Sequence, residues 1–185
     1  MPLTTYTAGE VLTAASLNNN FAAAGGLQFV KAQTIGTGVS AVTVTGAFSA
    51  TYDAYKIIIT GGVASSSNAQ ILLTFGATSS GYKWAYLFGN TANGAGASSS
   101  AAGSSIPIGE VNTNIVQMNA EVFNPFLAKH TYVNGILGFN DTNNNGRGPV
   151  TSILQDATSY TAFTLTAGSG TLTGGTIRVY GYANS

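Results

Sequence analysis

Reactive chemistry has few places to sit in this chain. It carries one histidine, His130, no cysteine, and six carboxylates: Glu10, Asp53, Glu110, Glu121, Asp141 and Asp156. A Ser-His-Asp relay would need His130 beside a serine and one of Asp53, Asp141 or Asp156. No Gly-x-Ser-x-Gly elbow occurs, and Gly168-Ser169-Gly170 sets its glycines at the wrong offsets. His130 follows Lys129 just ahead of a strand pattern, where an exposed polar residue is the simpler account. Glycoside hydrolysis asks for two carboxylates flanking the scissile bond. None of the six forms a close sequence pair, and Glu110 and Glu121, flanking or lying on one strand, read as surface charges. No catalytic residue is assigned, and the chain is expected not to be an enzyme and to need no cofactor.

One stretch has the letters of a cation site. Asp141-Thr142-Asn143-Asn144-Asn145-Gly146 matches the first six positions of a calcium loop, but loop position twelve is Ser152 instead of the bidentate glutamate. A single carboxylate gives little charge to hold calcium. A tight turn using Asn and Gly for positive φ explains the same letters, and no metal site is expected. No Gly-rich run leads into a Lys and a helix, so there is no phosphate cradle either.

Aromatic side chains remain. Tyr82, Trp84, Tyr86 and Phe88 alternate, which puts all four on one face of a strand. Such a row can stack on sugar rings or form a subunit interface. It can equally be an ordinary core face.

The elements that would position these groups are almost all strands. Only Thr13–Ala24 reads as helix, with Thr13 as N-cap, Leu17 and Phe21 four residues apart, and Gly25-Gly26 as the stop. Thr7-Ala8-Gly9-Glu10 has capping-box spacing, but Gly9 disfavours a helix beginning there. Past Gly26, β-branched and aromatic runs alternate with Gly, Ser and Asn, giving about ten short strands. They fall near 28–35, 41–48, 54–61, 70–75, 82–88, 114–123, 131–139, 150–155, 160–166 and 176–182. Gly89–Ser105 and Asn140–Gly148, dominated by small and amide residues, read as exposed loop tips. Ile57-Ile58-Ile59 is apolar toward both faces, as a strand covered by a neighbouring subunit would be. No repeat of 20 to 50 residues is visible. The expected fold is all-β, a jelly-roll-like β-sandwich over residues 27–185, preceded by a short N-terminal helical segment in residues 1–26.

Composition narrows the class of partner. Asp, Glu, Lys and Arg make up 6 % of the chain, against about 25 % in an ordinary soluble domain. Six basic residues balance six acidic ones. Nucleic acid or an anionic membrane would call for a basic surplus, so neither is expected. No run approaches the ~20 apolar residues of a spanning helix, and nothing at the N-terminus has the form of a secretory signal. With 44 % hydrophobic residues the chain is no disordered tail. A neutral, sparsely charged surface suits a protein covered by other subunits; a secreted or halotolerant monomer with a hydroxyl-rich surface is the plainer alternative.

Three segments carry a resemblance. Tyr6-Thr7-Ala8-Gly9-Glu10-Val11-Leu12-Thr13-Ala14-Ala15-Ser16-Leu17-Asn18 resembles the short leader of phage tail-fibre and related virion proteins. Thr51-Tyr52-Asp53-Ala54-Tyr55-Lys56-Ile57 and Leu172-Thr173-Gly174-Gly175-Thr176-Ile177-Arg178-Val179-Tyr180-Gly181 look like the start and end of a β-sandwich module in that group, with an Asn124-Pro125 turn between them. The resemblance implies a homotrimeric virion subunit, made in a host cytoplasm. In the fibre-type version residues 1–26 dock on other virion proteins through Leu12, Leu17 and Phe21, and the module attaches to a host-surface glycan. In the alternative version it is a capsid or tail decoration protein; a depolymerising enzyme is the third and weakest fit.

Overall fold

The computed structural model describes residues 5–184 apart from 25, 92, 93, 142 and 143, and the side chains of these residues other than 19, 21–24, 90, 139–141, 144 and 145. One helix, α1 (Ala14–Ala24), precedes fourteen strands. In chain order these are β1 (Leu27–Thr34), β2 (Ala41–Val44), β3 (Ala54–Thr60), β4 (Val63–Ala64), β5 (Ala69–Phe75), β6 (Tyr82–Asn90) and β7 (Gly94–Gly103). They continue with β8 (Ile106–Asn112), β9 (Ile115–Phe123), β10 (Thr131–Asp141), β11 (Asn144–Leu154), β12 (Phe163–Ala167), β13 (Leu172–Thr173) and β14 (Thr176–Tyr182). The protein is all-β with a short N-terminal helix.

Thr13 caps α1 as its sequence suggests: the Ser16 amide donates to Thr13 Oγ1 at 3.2 Å, and the Leu17 amide to the Thr13 carbonyl at 3.0 Å. Upstream, Glu10 does reach back to the Thr7 amide, but Gly9 sits at φ +91°, and a turn forms there instead of a helix.

Twelve strands form one branched sheet. A long arm runs β1-β14-β3-β9-β10-β11-β6-β7, and a shorter arm, β8-β5-β12-β2, joins it where β8 pairs with β9. Neighbours are antiparallel except for a single parallel bridge, Leu137 to Gly109. β4 and β13 make a separate pair. Period-2 alternation turns one side of each arm inward: Tyr55, Ile57 and Ile59 from β3, Val116, Met118, Ala120 and Val122 from β9, Phe163 and Leu165 from β12, Ile177 and Val179 from β14. Phe48 joins the arms, its ring 4.9 Å from Tyr55 on the long arm and 5.6 Å from Phe163 on the short one. The Asn-Pro turn is a true one, with Asn124 at φ +60° and its amide donating to the Asp53 carbonyl at 2.7 Å.

Two expected loops are strands. β6 continues to Asn90 and pairs with β7 from Asn90↔Gly94 to Trp84↔Ser100, inside the stretch read as a loop tip. Likewise β10 and β11 pair out to Asp141↔Asn144. A backbone ladder needs no side-chain pattern, and several glycines here serve close approach. A Cβ on Gly96 would enter the Phe88 ring, and one on Gly148 would enter the Leu87 carbonyl. The calcium-like letters therefore spread over both strands of a hairpin, and its two closing residues, 142 and 143, lie outside the described part. β8 carries no alternation because it is buried at every position, with Pro107 and Gly109 interrupting its β-branched residues.

Candidate functional site

Three features stand out. The first is a face. Registers align Phe29, Tyr180, Lys56, Glu121, Asn134, Thr151, Ala85 and Ser99 side by side across the eight strands of the long arm. Residues two positions away along each strand share that side. Leu27, Phe29, Leu87, Tyr132 and Ile136 therefore all project from one face, the one opposite the core. They are all exposed, Leu87 at 64 % and Phe29 at 62 %. Besides Val63 on the small β4–β13 pair, they are the exposed large hydrophobics among the described residues after the leader. Charge on the face is partly cancelled: Lys56 Nζ lies 3.7 Å from Glu121. The Tyr182 hydroxyl donates to the same carboxylate at 2.5 Å, which pushes the phenol up to about 12.

The second feature is a cleft on this face, about 330 Å³, where β8 wedges between the diverging strands β9 and β10. Ile58 and Ile136 line it beside Thr60, Asn119 and Arg147. Glu110 forms its floor. The expectation of a surface charge is wrong for this residue, whose side chain is 2 % exposed. Its carboxylate accepts from Arg147 at 2.8 Å, Gln117 at 2.8 Å and Asn112 at 3.1 Å. Gly138 leaves room for it, since a Cβ there would stand 2.6 Å from Glu110 Oε2. A buried carboxylate held by three donors is an anchor between strands, because desolvating it alone would cost several kcal/mol. Among the described residues, no three of His, Cys, Asp and Glu converge. Its partner Arg147 is 37 residues away in sequence, inside the Asn/Gly stretch that reads as a loop.

The third feature is the aromatic row, on the core side of β6. It divides. Tyr82 is fully buried, its hydroxyl accepting from the Phe75 amide at 2.9 Å and donating to the Thr78 carbonyl at 3.1 Å. Burial raises its phenol to about 12. Tyr82 is a core residue and drops out of any contact surface. Trp84, Tyr86 and Phe88 are half-buried and stack in sequence, with ring centroids 5.4 Å apart for Trp84–Tyr86 and 5.9 Å for Tyr86–Phe88. Their neighbours on β7 are small: Ser100, Ser98 and Gly96.

The remaining candidates are scattered. His130 is exposed. Asp156 accepts from Tyr160 at 2.6 Å and from Thr158 at 2.8 Å, and these bonds hold its carboxyl below the usual range. Leu12 and Leu17 of the leader are exposed, and the side chain of Phe21 lies outside the described part. Comparison with protein-family models, curated proteins and solved structures finds no match.

Proposed function

We propose that the chain is a self-assembling structural subunit of a bacteriophage particle, of the fibre type, acting in host attachment through many weak contacts on an oligomer. The observation that supports assembly most directly is the single outer face carrying Leu27, Phe29, Leu87, Tyr132 and Ile136. Scattered exposed hydrophobics are ordinary, but five on the solvent side of one sheet offer a surface on which another chain could be seated. The low charge of the chain as a whole points the same way, although Lys56, Lys83, Arg147 and Arg178 lie on that face. The phage origin rests on the resemblance of the leader and of the two module ends, as does the three-fold symmetry. The exposed Leu12 and Leu17 support a docking role for residues 1–26, as an 11-residue helix is marginal in water without a partner. The breadth of the outer face also favours a second reading, a decoration subunit laid over a seam of the particle.

Mass measurement in solution tests the assembly reading. A multiple of three chains is expected, and a monodisperse monomer at micromolar concentration would overturn it. Removal of residues 1–24 should keep that mass while abolishing incorporation into particles. Labelling the subunit in electron micrographs separates a distal fibre from a shell-bound decoration.

A further inference from the structure

Among the described residues, three strands end the branched sheet with one side unpaired: β1, β2 and β7. Unpaired edges invite pairing by other chains, and proteins guard them with short strands, bulges, lysine or proline. β2 has four residues. β1 has a bulge between Phe29 and Lys31, and carries that lysine within the strand. β7, Gly-Ala-Gly-Ala-Ser-Ser-Ser-Ala-Ala-Gly, is ten residues long with neither a charge nor a proline. Its ladder is regular from Gly94 to Ser100, and the register shift comes only beyond that point. Of the three edges, the longest is the unguarded one.

β7 also lacks what normally keeps a strand in place. No residue along it is buried, whichever side it faces. Glycine and alanine are poor strand formers, so the segment is held by its bonds to β6 and little else. A second ladder on its free side would supply the missing stabilisation.

We infer that the free edge of β7 is a strand-addition site, and that its occupant is β7 of a second copy of this chain, antiparallel across a two-fold axis. A strand of small uncharged residues is complementary to itself: no side chain clashes and no like charges meet. Pairing of β7 with the far edge β1 would propagate into an open array, and the bulge and Lys31 oppose it. Pairing of β7 with β7 closes after two copies. The outer face would run on unbroken through the joint, since Leu87 and Ala97 sit on the last two strands. On the core side, the Phe88 ring already covers Gly96, and Trp84 Nε1 lies 3.1 Å from where a Cβ of Gly103 would be. The small side chains of β7 leave those rings room beside the joint.

The experiment pairs solution mass with hydrogen exchange of peptides from residues 94–103. Wild-type protein should contain an even number of chains, six where the outer face also forms trimers. Its outward β7 amides should exchange at least ~100-fold more slowly than loop amides. Ser98→Lys alters an exposed position on the side of β7 turned away from the outer face, and should halve the mass, abolish that protection and leave the far-ultraviolet dichroism unchanged. Tyr132→Asp with Ile136→Asp should instead leave a dimer with β7 still protected, so failure of the face and failure of the edge read differently. Unchanged mass and protection in the lysine variant would overturn the edge pairing. So would loop-like exchange in the wild type, a reading that needs no variant to fold. Protection gained only after adding other particle proteins would overturn the second copy as occupant.

Discussion

The strands around Phe48 and the hairpin arm ending at β7 are built by opposite means. In β3, β9, β12 and β14 every second residue is buried, a hydrophobe at each such position except Gly181, and the strand is held by what its side chains bury. In β7 no residue is buried and the backbone carries the structure. Glycines emphasise the contrast. Gly135 lies in the core sheet because a Cβ would stand 2.5 Å from Ile108 Cδ1, whereas nothing lies within 4 Å of a Cβ on Gly94. One region tells its strands where to lie through side-chain volume. The other leaves that to hydrogen bonds alone, and so remains open to another chain.

The largest effect that sharpens this contrast is expected from Phe163→Ala. It removes a fully buried ring beside Phe48 and should cost about 3–5 kcal/mol in urea unfolding at fixed protomer concentration. A loss below ~1 kcal/mol would mean that the core is not the source of stability. Alkaline titration comes next. Tyr82 holds its proton more tightly when folded, so its contribution is complete below its unfolded value near 10 and is lost as pH rises toward about 12. The decline should be on the order of 2 kcal/mol and should be reduced in Tyr82→Phe. The smallest effect belongs to the arm: Ser98→Ala, on an exposed position of β7, should move stability by less than about 0.5 kcal/mol. A large loss there would break the contrast by showing that β7 relies on its side chains after all.

Legibility in the sequence follows the same division. Val42 and Val44, Phe163 and Leu165, Ile177 and Val179 announce their strands by alternation, and each pair is buried. Thr13 and the residues after it announce the helix. β7 stays hidden because Gly, Ala and Ser carry no periodic signal, and β8 because burial on both sides removes the alternation while Pro107 and Gly109 mimic a turn. Glu110 is misread for a different reason. Its environment is made by Gln117 across a hairpin and by Arg147 from a distant strand, and no local pattern reports that a charge will be enclosed. Tyr82 shows the limit of alternation itself: spacing puts it in line with Trp84, Tyr86 and Phe88 but says nothing of where along β6 the core ends.

The position of β14 sets the order in which the protein can be completed. It lies between β1 and β3, pairing Thr176 with both Thr34 and Thr60. During synthesis, β1 must wait for a partner that follows it by about 150 residues, on the order of ten seconds at ordinary elongation rates. Until then Ile57 and Ile59 belong to a strand with one neighbour missing. Pairings of such sequence separation are slow, because the entropy of closing the loop is lost before any contact repays it. The end of the long arm, where β14 joins β1 to β3, therefore closes last, and chaperones that shield open strand edges should meet β1 and β3 chiefly before β14 emerges.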